Sequence, residues 1–296
     1  MRLPSHLERL CAVSERPLLS SLTTAGVGGV ASGGLVAPQD RAALCALIGF
    51  FNGASISWRP IGGGSNILAP DSGIDTVLVS LRAMNGISQL TDRSTCLTVG
   101  AGTGLQRLVS FCRDAGLSGA ECLAGIPGTV GGAVKMNAGG RHGEMGRLIE
   151  AVHLIDCEGS VASKSAAQCG FGYRRSALGN LTVVEVALRL TASTPQRVRE
   201  ATEEIVEEKK KTQPLSQRSC GCVFKNPPES HAGLLIDRAG LKGARCGGAR
   251  ISPKHASFII NEGGATREDY DTLIDLARTR VAERFGVNLE LEVERW

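Results

Sequence analysis

The 296-residue sequence has no C-x-x-C pair, although it holds 10 cysteines. Thiols scattered through a chain of this size read as small apolar residues kept reduced, not as a disulfide framework. The nearest pair, Cys220 and Cys222, has no second Cys or His cluster close by, which argues against zinc, and no metal is expected. A long hydrophobic run is missing too. The longest apolar stretch, 42–51, is too short to span a bilayer, and the start, MRLPSHLERLCAVSERP, puts charges where a secretory signal would carry its apolar core. A cytoplasmic protein with no membrane partner is expected. Charge of one sign is also lacking: 33 Lys and Arg against 29 Asp and Glu leave a net +4, and no basic run interleaves with aromatics. No nucleic-acid groove is therefore expected, and anionic small molecules are the expected partners.

Glycine is what the chain has in excess, 38 of 296 residues against a usual share of roughly 7%. The glycines gather at 26–34, 62–64, 100–104 and 125–143 and around Gly247 and Gly263. A folded chain gives up side chains in this way where the backbone needs φ > 0 or must approach a ligand closely. At 42% hydrophobic and 21% charged the composition is that of a globular protein, long enough for two or three domains and a ligand-sized cleft.

Patterning predicts a strand over 34–37, an amphipathic helix over 39–51 and a strand over 55–60, a β-α-β beginning. Short β-branched runs follow from 76 to 104, then a helix over 105–115 and strands at 151–154, 160–164 and 182–190. The fold class expected is α+β and not regular β-α-β alternation. Ser193-Thr194-Pro195 is a capping signal for the charged helix REATEEIVEEKKKTQ, and the domain boundary is placed there. Residues 1–193, in two lobes of about 1–70 and 71–193, are expected to form one unit and 194–296 the other. In the second, strands are expected at 222–225, 257–260 and 289–293, with helices at 232–239 and 266–285.

Three glycine loops carry the chemistry. Gly62, Gly63, Gly64, Ser65 and Asn66 directly follow a strand, so their successive N–H groups can form a nest for a diphosphate, with the two side chains as added donors. The G-K-[ST] ending of a P-loop is missing. Gly100-Ala101-Gly102-Thr103-Gly104 misplaces the third glycine of G-x-G-x-x-G and reads as a turn packed beneath a ligand. The stretch LAGIPGTVGGAVKMNAGGRHG, 123–143, leaves little side-chain bulk along a surface flanked by apolar residues, a wall suited to a flat aromatic cofactor. Its candidate contacts are Gly125, Ile126, Pro127, Gly128, Thr129, Gly131, Gly132, Asn137, Ala138 and Gly139.

Together with PIGGGSNIL, FGYRRS, GCVFKNP, AGLLIDRAGLKG and HASFIINEGGAT, the stretch LAGIPGTVGGAVKMNAG follows a known order from about residue 22 to 293. The sequence resembles the UDP-N-acetylenolpyruvoylglucosamine reductase family (MurB), in its compact type. The resemblance implies an FAD-binding unit like that of the vanillyl-alcohol oxidase group, followed by an α+β substrate-binding domain. It implies non-covalent FAD, NADPH as hydride donor and a UDP-sugar as substrate. In the family, NADPH reduces FAD and hydride then passes to the enol carbon C3 of UDP-N-acetylglucosamine enolpyruvate. Protonation at C2 gives UDP-N-acetylmuramate, a peptidoglycan precursor. Such a step needs a cation beside the substrate carboxylate, a polarising partner and a proton donor.

By the same resemblance, Arg174 matches the carboxylate-binding arginine, a task suited to a planar fork that stays charged. On a strand, Arg174 and Arg175 would point to opposite faces, so one alone would line the cleft. Glu292 matches the glutamate of a closing Pro-Glu-Val in which leucine here replaces proline; from its residues alone, this segment is a solvated acidic edge strand. Cys222 stands where the family carries the serine that protonates the substrate. Lys225 and Asn226 offer a point charge and amide donors to a diphosphate or uridine, with Gln213 and Tyr173 as further substrate contacts. Gly140-Arg141-His142 replaces the usual Ala-Tyr-Gly, and Thr23-Thr24-Ala25 the usual Thr-Thr-Phe. The competing expectations are another FAD-dependent oxidoreductase of the same cofactor fold and a nucleotide-binding module without chemistry.

Overall fold

Local signals set the frame of the computed structural model, which describes residues 3–296 apart from 90, 92 and 93. Asp40 caps the helix Arg41–Gly53 by accepting from the Ala43 N–H at 2.8 Å, and the helix buries Ala43, Leu44, Leu47, Ile48 and Phe51 as one stripe. The strands before and after it, Leu35–Pro38 and Trp58–Ile61, both run parallel to Val77–Ser80, and Cys11–Ser14 closes the other edge antiparallel. A second, fully antiparallel sheet has the order Val161–Ser165, Ile149–Ile155, Thr182–Arg189, Cys96–Gly100, Ile87–Gln89. Leu97 and Val99 alternate into its core. The helix Leu105–Ala115 sits on that core through Leu105, Leu108, Val109 and Cys112 and stops at Gly116, φ +66°, in the left-handed conformation that ends many helices.

These elements form one contact unit, made of the chain up to Glu15, Gly33–Gly63 and Thr76–Glu208. Arg16–Ser32, Gly64–Asp75 and Lys209–Trp296 form the other. Its sheet has the order Arg218–Cys222, Phe258–Asn261, Ala249–Ile251, Arg245–Cys246, all antiparallel. The helix Arg267–Phe285 contributes Tyr270, Leu273, Ile274, Ala277 and Val281 to its core. Among the described residues no helix is long and apolar enough to cross a membrane. None of the ten cysteines forms a disulfide, and Cys11, Cys112, Cys122, Cys169 and Cys220 are buried.

The division differs from a single break at 193. The helix Pro195–Thr212 delivers Ile205 into the first core, so the change of unit comes after Glu208. Ala25, Val27 and Leu68, expected in the first lobe, pack instead in the second core, because the segments carrying them hydrogen-bond to C-terminal residues. Two strands are also displaced. The one expected at 222–225 lies at Arg218–Cys222, and beyond it the chain leaves the ladder, with Val223 donating to Ser257 and Lys225 to the Glu290 carbonyl. Of the strand expected at 289–293, a single bridge between Leu291 and Phe224 remains; regular pairing comes later, between Glu294–Arg295 and Ile67–Leu68.

A capping box starts the long C-terminal helix. The Asp269 N–H donates to the Thr266 hydroxyl at 3.1 Å, while the Asp269 carboxylate accepts from the N–H groups of Thr266 at 2.9 Å and Gly248 at 3.2 Å. The Thr266 N–H foremost, and then that of Gly248, hold this carboxyl below its ordinary pKa against the opposing effect of burial. A carboxyl lowered on folding stabilises above its unfolded pKa of about 3.9 and loses that contribution as pH falls through the lower folded value. Asp269→Ala is expected to cost about 1 kcal/mol in urea unfolding at pH 7. The gap from the unsubstituted protein should narrow toward pH 3; a gap constant with pH would separate the loss from the carboxylate.

Candidate functional site

The strand Trp58–Ile61 ends in two half-buried glycines that lie against a second loop of the same unit. A Cβ on Gly63 would stand 2.7 Å from the Gly128 Cα, and one on Gly62 would stand 2.5 Å from the Thr129 hydroxyl. Only backbone fits there. The loop 100–105 holds this second loop from behind: Val130 donates to Thr103 at 2.8 Å, Gly131 to Ala101 at 2.8 Å and Leu105 to Gly128 at 3.0 Å. Gly100 and Gly102 in turn leave no room for a Cβ beside the carbonyls of Met84 and Leu81, so that loop is a packed turn. Gln106, which sequence reasoning missed, donates to the Ile126 carbonyl at 2.9 Å and accepts from the Gly125 N–H at 3.4 Å. A polar residue at the second position of an amphipathic helix gave no signal of that task.

Between them, these loops present backbone from Gly62, Gly63, Gly125, Ile126, Pro127 and Gly128, with Gly132, Ala138 and Gly139 also accessible. A partly exposed, glycine-lined cradle in which backbone packs closely on backbone fits the diphosphate and flat ring of a dinucleotide cofactor. Thr129 and Gly131 are buried, Gly131 because Ala101 lies where its Cβ would be. Asn137, also expected among the cofactor contacts, is fully buried, and its side chain bonds to the backbone of Gly172 and Gly146.

Arg174 is not on a strand. Gly172 and Arg175 exchange backbone hydrogen bonds at 3.0 and 3.2 Å, so Tyr173 and Arg174 form the tip of a two-residue turn. Arg174 occupies the third turn position at φ +54°, where glycine or asparagine is usual and a bulky residue costs on the order of 1 kcal/mol or more. Its guanidinium donates to the Gly139 carbonyl at 2.8 Å and lies 5.2 Å from the Tyr173 ring centroid. Arg175 is exposed. The alternation expected of a strand therefore does not select between the arginines, whereas the strained backbone does single out Arg174. At the replaced tripeptide, Arg141 and His142 both reach Glu208, His142 at 2.9 Å.

The second unit carries the other expected groups. Three residues of one strand, Cys220 to Cys222, face two of its partner, a bulge at Gly221 with φ +79°. Bulges re-aim the side chains beside them. Cys220 is buried, and that burial pushes its thiol up to about 12, whereas Cys222 is half-exposed. The Glu292 N–H donates to the carbonyl of Val223 at 2.9 Å, which brings Glu292 to the residue after Cys222. Asn66 sends its amide nitrogen to the Glu292 carbonyl at 3.1 Å and accepts the Glu294 N–H at 2.9 Å, so it anchors the segment of Glu292. Gly64, two residues before Asn66, has φ +65° and accepts from the Thr24 N–H, while Ser65 is half-buried. Lys225 pairs with the exposed Glu290 at 2.7 Å, and the Asn226 side chain caps the helix Ala232–Arg238 through the Ala232 N–H at 3.0 Å. Gln213 is half-buried just past the helix Pro195–Thr212.

Comparison with known proteins divides the chain at a similar place. Residues 32–164 match the FAD binding domain family, and 213–296 match the C-terminal domain of UDP-N-acetylenolpyruvoylglucosamine reductase. The UDP-N-acetylenolpyruvoylglucosamine reductase of Desulfosudis oleivorans is 42% identical over 289 residues, covering 93% of this chain and 91% of that protein. The one from Bacillus subtilis is 36% identical over 279 residues, with 93% and 91% covered. The chain belongs to this reductase family. The crystal structure of the family's member (MurB) from Thermus caldophilus is similar over 97% of this chain and 99% of that one, at 39% identity and a TM-score of 0.82. Cholesterol oxidase from B. sterolicum, 14% identical, aligns with 65% of this chain and 40% of its own at a TM-score of 0.50, a likeness of fold alone. The fold is thus an FAD-binding unit of the vanillyl-alcohol oxidase type joined to the reductase C-terminal domain.

In this member of the reductase family the close approach of the two candidate cofactor loops depends on Gly63 but not on Gly104, where a Cβ would meet nothing within 4 Å. Gly63→Ala is expected to weaken FAD retention at least about tenfold, equivalent to about 1.4 kcal/mol. Gly104→Ala should keep its flavin. The ratio of flavin to protein absorbance after gel filtration reports both, and equal retention would remove the loop contact from the cofactor site.

Proposed function

We propose that the chain reduces UDP-N-acetylglucosamine enolpyruvate to UDP-N-acetylmuramate with NADPH, as a cytoplasmic step of peptidoglycan precursor synthesis. Non-covalent FAD, when bound, carries the hydride from NADPH to the enol carbon. The observation that carries the reading is the Gly221 bulge within the matched reductase domain, which separates a half-exposed Cys222 from the buried Cys220 and is followed at once by the bond from the Glu292 N–H to the Val223 carbonyl.

The residues then take complementary parts. Arg174 binds the enolpyruvyl carboxylate through its planar fork, and the charge that develops next to that carboxylate is stabilised by a cation already held in place. Cys222 donates its thiol proton to C2. A thiol with a reference pKa of about 8.5 is protonated at neutral pH yet gives its proton more readily than an unassisted alcohol. Glu292 serves as the polarising partner. Lys225 offers its charge to the diphosphate, exchanging the exposed Glu290 carboxylate for a phosphate oxygen, and Asn226, Gln213 and Tyr173 contact the UDP-sugar.

Anaerobic stopped-flow absorbance separates the two half-reactions. NADPH should bleach the flavin, and the enolpyruvyl substrate should restore its colour. Cys222→Ala is expected to keep the first rate and slow the second by roughly 10² to 10⁴, the usual worth of a positioned acid, while Cys222→Ser retains substantial activity. A flavin that NADPH does not bleach sinks the proposal, and an alanine variant reoxidised at the unsubstituted rate removes Cys222 from it.

A further inference from the structure

Asn137 lies in the glycine-rich wall, and its side chain is bonded to backbone on both sides. It ends the helix Val130–Met136 in the left-handed conformation, φ +45°, and is fully buried. Its amide nitrogen donates to the Gly172 carbonyl at 3.0 Å and its amide oxygen accepts from the Gly146 N–H at 2.7 Å. Gly172 opens the turn that carries Arg174, and its carbonyl also closes that turn by accepting from Arg175. Two residues after Asn137, the Gly139 carbonyl receives the Arg174 guanidinium at 2.8 Å. The backbone beneath Arg174 and the head of its side chain are therefore both referred to one short segment, 137–139. Space is equally restricted on the other side, where a Cβ on Gly146 would stand 2.9 Å from the Asn137 oxygen and 2.8 Å from the Phe171 ring.

We infer that Asn137 is a positioning residue for Arg174, fixing through the Gly172 carbonyl the strained turn that presents the guanidinium to the substrate carboxylate. A turn with a left-handed arginine at its tip persists only while its surroundings over-determine it, and Asn137 is the buried side chain bonded to its first carbonyl. The inference rests on the carboxylate-binding role proposed for Arg174. Attachment of the loop itself does not rest on Asn137, since the Ser176 hydroxyl donates to the Lys135 carbonyl at 2.8 Å.

Two substitutions keep the left-handed backbone accessible. Asn137→Gly removes both side-chain bonds, and Asn137→Asp keeps the shape and the acceptor for Gly146 while replacing the donor to Gly172. The measurement is calorimetric affinity of the flavin-loaded protein for UDP-N-acetylmuramate, which carries the same carboxylate, together with the rate of reoxidation by the enolpyruvyl substrate. Both variants are expected to lose about tenfold or more in each, as misplacement of a binding group does. Combined with Arg174→Ala, neither should add a further loss, because a residue that acts through Arg174 has nothing left to position. Losses that add to those of Arg174→Ala, unchanged affinity in both variants, or loss of the flavin from both would each overturn the inference. An Arg174→Ala protein that binds and turns over normally would instead overturn the role of Arg174 on which it stands.

Discussion

Gly63 lies against Gly128 because neither residue has a side chain. With a Cβ 2.7 Å from the opposing Cα, the loop that ends the first β-α-β segment and the loop that opens the short helix Val130–Met136 could not meet. The glycine loop 100–105 is drawn into the same arrangement, since it holds the second loop by three backbone hydrogen bonds and is itself pressed on the carbonyls of Leu81 and Met84. Part of the excess of glycine thus serves one requirement, three stretches of chain stacked backbone upon backbone, while many of the other glycines stand at positive φ. Side chains enter that arrangement from its margins, as Gln106 and Asn137 do, and they bond to carbonyls and N–H groups.

The second unit reaches its site by a different device. Its strand Arg218–Cys222 would place Cys220 and Cys222 on one face if it were regular, and both thiols would then share one environment. The bulge at Gly221 breaks the period of two, so one thiol is in the core and the next is half-exposed. Where the strand ends, Val223 and Lys225 bond to Glu292 and Glu290, which draws the acidic C-terminal segment onto the residues that follow Cys222. Asn66 fastens that segment from its other side.

Elements with a strong period were legible in the sequence. The helix over 105–115 lies where patterning predicts it, and the helix expected over 266–285 runs Arg267–Phe285 from a Thr266 cap. Alternation was less dependable at 289–293, where Leu289 and Val293 are buried and Glu290 is exposed although almost no ladder exists, so inward and outward facing was readable but pairing was not. The division into units was hidden for a related reason: Arg16–Ser32 and Gly64–Asp75 are short, loop-rich segments whose partners lie far away in sequence. In the candidate site, glycine density marked the loops that pack backbone upon backbone, while the fate of single polar residues did not show. Asn66 and Asn137 both sit in cofactor-like motifs and both spend their amides on backbone carbonyls of segments carrying other site residues.

Arg174 shows why the residue beside a motif can matter more than the motif's own periodicity. In FGYRRS the two arginines are chemically equal, and a strand would separate them only by face. The turn separates them by conformation: Arg174 is held left-handed, with its head on Gly139, while Arg175 pairs across the turn with Gly172 and is exposed. Glycine at position 174 would relieve that strain, so the presence there of a long charged side chain is itself an argument that the guanidinium is needed at that point. Strain of this kind is tolerable only on a rigid base. The base here is the same close-packed glycine wall that offers the candidate cofactor cradle, joined to the turn through the buried amide of Asn137.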